Sequence, residues 1–160
     1  AADFHARFAA TSRSYRYVLQ REKLVFDTDT AWYYQRPMDL DRLHQAASSL
    51  FTTEEFSAFA RLGSHTGTTL CTMQHARWID QGEAWVFEVR ANRFLRNMVR
   101  SLVGTMVEYA LDKRSWASWE SLLQGGERPD SGDSAPAHGL TFAGVTYPNS
   151  PFDERENAPF

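Results

Sequence analysis

Three stretches of this chain carry residues whose types and spacing suit chemistry on an anion or on an exposed flat ring. Phe4-His5-Ala6-Arg7 and Ser14-Tyr15-Arg16-Tyr17 interleave rings with cations. Ala91 to Tyr109 brings Arg93, Arg96 and Arg100 close together with Asn97 and no carboxylate among them. A guanidinium stays charged and offers a fork of donors that matches a phosphate or a carboxylate. Rings alternating with cations stack and hold an unpaired base. Each stretch also has an ordinary structural explanation: arginines at this spacing form the solvated side of a core helix, His5 and Arg7 suit a surface, and Tyr15 suits a half-buried strand.

Other chemistries find less support. The five histidines stand singly and Cys71 is the one cysteine, so clustered zinc ligands are not expected. No phosphate-cradling glycine loop and no nucleophile elbow occurs. A lone cysteine excludes an internal disulfide and fits a reducing compartment. The 160 residues are 42% hydrophobic and 14% aromatic, which suits one folded domain, and no apolar run reaches membrane-spanning length. The formal charge of −3 argues against a general nucleic-acid binder, so any RNA contact must come from a local patch. Ala1 to Phe8 lacks the basic start and long apolar core of a signal peptide, and the cytoplasm is the expected compartment.

The elements that must position these residues are legible from periodicity. Ser14 to Gln20 alternates as a strand, with Tyr15, Tyr17 and Leu19 on one face. Ala31 to Gln35 is a second strand-like run. Asp39 caps a helix in which Leu40, Leu43, Ala47 and Leu50 recur at helical spacing. Phe56 to Thr68 reads as a loop. Thr69 to Ile79 and Ala84 to Arg90 read as strands joined by a turn at Asp80-Gln81-Gly82-Glu83.

Ala91 to Tyr109 projects as a helix capped by Asn92. Phe94, Leu95, Met98, Val99, Leu102, Val103 and Met106 form its broad apolar face, and the arginines gather opposite, at about 100° per residue. Ser115 opens a shorter helix with Trp116, Trp119, Leu122 and Leu123 inward, stopped at Gly125-Gly126. Glu127 to Ala137, within a connection spanning 125–138, is a loop by composition, and Leu140 to Tyr147 is a last strand. The expected architecture is α+β: an antiparallel sheet with helices packed on one face, formed by residues 1–148, with 149–160 as a polar tail.

FHARFAATSRSYRY, ANRFLRNMVRSLVG and APAHGLTFAGVTYP, in that order, together resemble the C-terminal part of the tRNA pseudouridine synthase A family. Phe56-Ser57-Ala58-Phe59 and Cys71 also stand where that family has similar residues. The resemblance implies isomerisation of uridine to pseudouridine at positions 38 to 40 of the anticodon stem-loop by a homodimer, with neither cofactor nor metal. It implies two related α+β halves sharing one sheet, of which this chain matches the second. Arg100 then corresponds to the partner of a catalytic aspartate, and Tyr15 to the tyrosine that contacts the substrate. His5, Arg7, Arg93 and Arg96 become candidates for phosphate contacts, and Gly139 and Leu140 for the pocket wall.

One departure matters. The family's aspartate lies in an Arg-x-Asp-Ala-Gly-Val-His loop, and no aspartate of this chain is followed by Ala-Gly. Asp3 stands where the family's second half begins. The expectation is a C-terminal domain that lacks the nucleophile and is inactive alone; a non-catalytic RNA-binding or dimerisation module is the alternative.

Overall fold

The computed structural model describes residues 5–23, 29–63 and 67–148. Asp3, Phe4, Ser64 and the expected tail 149–160 lie outside the described residues.

The axis of the sheet is β1 (Ser12–Gln20), in which burial changes face along the strand: Ser12 and Ser14 are buried on one side, Tyr17 and Leu19 on the other, with a register shift against β5 between Ser14 and Tyr15. It pairs antiparallel with β4 (Ala84–Ala91), and β4 pairs antiparallel with β3 (Met73–Asp80). Its other edge is shared. β5 (Leu140–Thr146) runs antiparallel along Ser12 to Tyr17, and β2 (Trp32–Tyr33) adds a two-residue parallel pair at Leu19 and Gln20. The sheet is therefore antiparallel except at β2. The β3–β4 turn forms where expected: the Asp80 carboxylate accepts the Gly82 amide at 2.8 Å, and Gly82 takes φ +80°, which glycine adopts without penalty.

Tyr15, Tyr17 and Leu19 share a face with Val89, Phe87 and Trp85, their direct partners on β4. The core lies on this face, under the helices. Helix α1 (Leu40–Ser49) starts at Asp39, whose carboxylate accepts the amides of Asp41 and Arg42 at 2.9 and 3.2 Å. Helix α3 (Trp116–Leu123) starts at Ser115, whose hydroxyl accepts the Ser118 amide at 3.2 Å. Both caps satisfy first-turn donors that have no partner within the helix. On the opposite face Glu88, 6% exposed, accepts both Nε and Nη2 of Arg77 at 3.2 and 3.1 Å.

The central helix departs from expectation. Helix α2 runs Met98–Ala110, so it begins at Met98 and not near Asn92. Strand pairing wins at the front: Ala91 pairs with both Arg13 and Met73. Asn92 continues that pattern, its amide donating to the Thr72 carbonyl at 3.2 Å and its side-chain oxygen accepting the Thr72 amide at 2.8 Å. The N-cap position belongs to Asn97, in the left-handed region at φ 69°, with no side-chain capping bond. Arg93 and Arg96 consequently lie in the connection ahead of α2, and only Arg100 is helical.

The helix also lacks a solvated face. Eleven of its thirteen residues are buried, since the sheet, α1, α3 and the segment 131–135 enclose it. Burying each large apolar side chain contributes roughly 1.5–3 kcal/mol. This seats α2 firmly and makes Arg100 the cation it holds in place.

Candidate functional site

Two cavities contain the residues singled out by sequence. The first, about 640 Å³, is lined by Arg7, Phe8, Arg13, Tyr15, Asn92, Arg93 and Phe94, with Gly67 at its rim. Tyr15 projects from β1 between two rings set edge-on to it, Phe94 at 5.2 Å and Phe142 at 5.4 Å between centroids. Phe142 and Phe8 are 54% and 74% exposed, so apolar ring surface faces solvent beside cations. Arg13 secures this wall. Its Nη1 donates to the carbonyls of Ala10 and Asn92 at 2.9 and 2.7 Å, and its Nη2 donates to that of Arg7. His5 accepts the Arg7 amide at 3.2 Å, and the Arg7 guanidinium lies 5.5 Å from the Phe8 ring centre.

The second cavity, about 600 Å³, is lined by Arg61, Leu62, Asn97, Arg100, Arg128, Pro129, Ser131, Asp133 and Ser134. Here Arg100 is held by one contact: its Nε donates to the Ala135 carbonyl at 2.6 Å. The Ala135 amide returns a bond to the Arg100 carbonyl at 2.9 Å, so backbone and side chain are clamped by the same residue. The two terminal nitrogens of Arg100 form no hydrogen bond or ion pair with the described residues. A guanidinium fixed at Nε with its fork unused presents a two-donor end to an oxyanion.

Tyr17 lines neither cavity but reaches the segment that holds Arg100. It is fully buried and donates from its hydroxyl to the Pro136 carbonyl at 2.8 Å, one residue beyond the carbonyl that holds Arg100. Burial pushes its phenol well above the ordinary tyrosine range, and the nearby Arg100 charge offsets that only in part. Tyr17 is therefore a permanent hydroxyl donor. Gly139 lies against it: a methyl group there would sit 2.7 Å from the ring. Tyr15, two residues earlier on the same face, stands roughly 7 Å along the strand.

The structure thus groups Tyr15, Arg7 and Arg93 around one cavity and puts Arg100 in the other, with His5 adjoining Arg7. Gly139 and Leu140 adjoin Tyr17, Leu140 as its partner across β1 and β5. Arg96 is exposed and lines neither cavity. Sequence reading missed Arg13, Phe142 and Arg128. The period of two that exposes Tyr15 could have flagged Arg13 on the same face. Nothing in local spacing points to Arg128. Among the described residues no cluster of three or more His, Cys, Asp or Glu could hold a metal, and no helix is long and apolar enough to cross a membrane.

Residues 46–148 match a family model described as tRNA pseudouridine synthase. The tRNA pseudouridine synthase A of Parabacteroides distasonis is 36% identical over 148 residues, covering 92% of this chain and 59% of the relative. That of Bacteroides fragilis is 36% identical over 152 residues, with 94% and 60% covered. That of Chlorobaculum tepidum is 38% identical over 144 residues, with 90% and 58% covered. The chain spans about three-fifths of the length of these relatives.

Proposed function

The chain belongs to the tRNA pseudouridine synthase family, and on that premise we propose that its parent protein isomerises uridine to pseudouridine at positions 38 to 40 of the anticodon stem-loop of tRNA. The reaction breaks the C1′–N1 glycosidic bond, turns the uracil and forms a C1′–C5 bond, with the C5 proton lost to restore the ring. It needs a carboxylate that attacks or deprotonates the nucleoside, kept ionised beside a cation, and a flat surface for a base taken out of its stack.

The observation that carries the proposal is the Arg100 guanidinium, fixed at Nε by the Ala135 carbonyl with its two terminal nitrogens unused toward a cavity. It binds an aspartate supplied by a segment outside this chain. No aspartate here is followed by Ala-Gly, and Asp133, which lines the same cavity, forms no ion pair with Arg100 among the described residues. Tyr15, between Phe94 and Phe142, supports the displaced base, and its hydroxyl serves proton transfer. Arg7 and Arg93 on the walls of that cavity, with His5 and Arg96 near it in sequence, hold phosphates; Gly139 and Leu140 shape the wall through Tyr17. The parent acts in the cytoplasm as a homodimer without cofactor or metal.

The test compares full-length protein with this 160-residue chain on an anticodon stem-loop transcript. Pseudouridine is expected at positions 38 to 40 with the full-length protein and not with the chain alone. Light scattering on the full-length protein is expected to give twice the monomer mass. Pseudouridine formed by the rigorously purified chain would overturn its inactivity, and product at other tRNA positions would overturn the site assignment.

A further inference from the structure

Arg100 is held by the Ala135 carbonyl, so its orientation depends on how the 131–135 segment crosses α2. That segment lies unusually close to the helix: a methyl group on Gly104 would sit 1.8 Å from the Asp133 carbonyl oxygen. Helix side chains meet it along its length. Thr105 accepts the Gly132 amide at 3.0 Å, Glu108 accepts the Asp133 amide at 3.3 Å, and Ser101 and Ser131 hydroxyls lie 3.5 Å apart.

The Ala135 amide is fixed on the Arg100 carbonyl at 2.9 Å, and a further grip comes from Arg128. Its Nη1 donates to the Ser131 hydroxyl and, at 3.1 Å, to the Gly132 carbonyl; its Nη2 donates to the Ser134 hydroxyl at 3.1 Å. Ser134 also accepts from the Asn97 amide nitrogen, which ties the far end of the segment to the left-handed residue that opens α2. One planar fork therefore spans both ends of the turn that delivers the Ala135 carbonyl to Arg100. Three of its five N–H donors are thereby committed to the segment.

We propose that Arg128 is a positioning residue for Arg100, acting through the 131–135 segment and the Ala135 carbonyl. This rests on the role given to Arg100 above. A displacement of about 1 Å at a reacting group costs on the order of 100-fold in rate, so losing the fork should lower kcat strongly while leaving tRNA affinity nearly intact. Lysine keeps the charge but cannot span Ser131 and Ser134 with one planar group, and is expected to rescue poorly.

The experiment is a double-mutant cycle in the full-length protein, measuring kcat, KM and melting temperature for Arg128→Gln, Arg128→Lys, Arg100→Lys and the Arg128→Gln/Arg100→Lys pair. The expected result is a kcat loss of about 10- to 100-fold for either Arg128 variant, with KM within about twofold, and almost no further loss when Arg128→Gln is added to Arg100→Lys. A merely structural Arg128 would lower the melting temperature and multiply independently with Arg100→Lys; that pattern overturns the inference, as does full kcat in either Arg128 variant. Wild-type turnover in Arg100→Lys would overturn the Arg100 assignment itself, and the inference with it. Ser134→Ala removes only the shared acceptor and carries the same cycle if Arg128→Gln fails to fold: non-additive loss with Arg100→Lys supports the inference, additive loss overturns it.

Discussion

The cavity beside Tyr15 and the cavity beside Arg100 enclose similar volumes, about 640 and 600 Å³, but are built by opposite means. Tyr15 rests among rings in edge-on contact, with arginines around a mouth that exposes Phe8 and Phe142. Such contacts are weakly directional and tolerate small displacements. Arg100 sits beside a mesh of directed hydrogen bonds among α2, Arg128 and the 131–135 segment, which fixes its Nε and leaves its terminal nitrogens open. Under the roles proposed above, the difference would separate two tasks. A surface that receives a base needs area and some give, whereas a cation that must meet a carboxylate with two donors needs an exact bearing.

The largest expected effect tests the directed side. In full-length protein, Arg100→Lys keeps the charge and loses the fork, so kcat should fall by about 100-fold or more, about 2.7 kcal/mol of transition-state stabilisation, with tRNA affinity within a few-fold. Single-turnover kinetics and filter binding separate the two quantities. Equal losses in both would mean that Arg100 is a binding residue and that the contrast with Tyr15 is false.

Next comes a pair of glycines, Gly104 in α2 under the 131–135 segment and Gly67 at the rim of the Tyr15 cavity. Gly104→Ala drives a methyl group into the Asp133 carbonyl and should cost about 1–3 kcal/mol of stability and lower turnover as well. Gly67→Ala meets no atom within 4 Å and has no left-handed backbone, so its effect should be neutral or stabilising by less than about 1 kcal/mol. Denaturant unfolding of both variants reads the contrast directly, and similar values would erase it.

Tyr15 probes the permissive side. Tyr15→Phe should keep RNA binding and lose only hydroxyl-dependent catalysis. Tyr15→Ala should lose about 1–3 kcal/mol of binding, the usual worth of one stacked base. Fluorescence titration with an anticodon stem-loop gives the numbers. Indifference of binding to Tyr15→Ala would reduce the ring to a core aromatic.

The smallest expected effect lies at a buried thiol. Cys71 is fully buried, and burial pushes its thiol up to about 11 from an ordinary 9.0 despite the Arg93 charge, which opposes the shift. A pKa raised on folding means the unfolded chain gives up its proton first. The stabilisation is complete below about pH 9 and disappears as the pH rises through about 11, an effect of about 2 kcal/mol. Wild type should therefore lose more stability than Cys71→Ala between those values in urea titrations. Parallel losses would show that the thiol is not desolvated.

Much of this was legible in the residues themselves, because the signals are local. Asp39 and Ser115 each satisfy amides two or three positions away, so their helices begin where composition says. The alternation in β1 puts Tyr15, Tyr17 and Leu19 on one face whatever the partner strand. Polar, proline- and glycine-containing residues from 127 to 137 exclude a long helix or strand, and only short 3₁₀ turns form there. The family resemblance singled out Tyr15 and Arg100 on the same terms.

Tertiary structure alone decided three things. Periodicity joined Arg93, Arg96 and Arg100 on one helix, but cross-strand pairing of Ala91 and Asn92 with residues near 72 delays the helix to Met98 and separates them. An apolar stripe does not reveal that a helix will be enclosed all round, since that depends on what crosses its other side. The crossing segment is about 30 residues away in sequence, and its fit depends on Gly104 and Thr105 meeting backbone groups and Ser101 meeting the Ser131 hydroxyl, contacts that no local spacing predicts. Arg128 is the clearest case: its type is visible in the sequence, and its task exists only once the chain has folded back over α2.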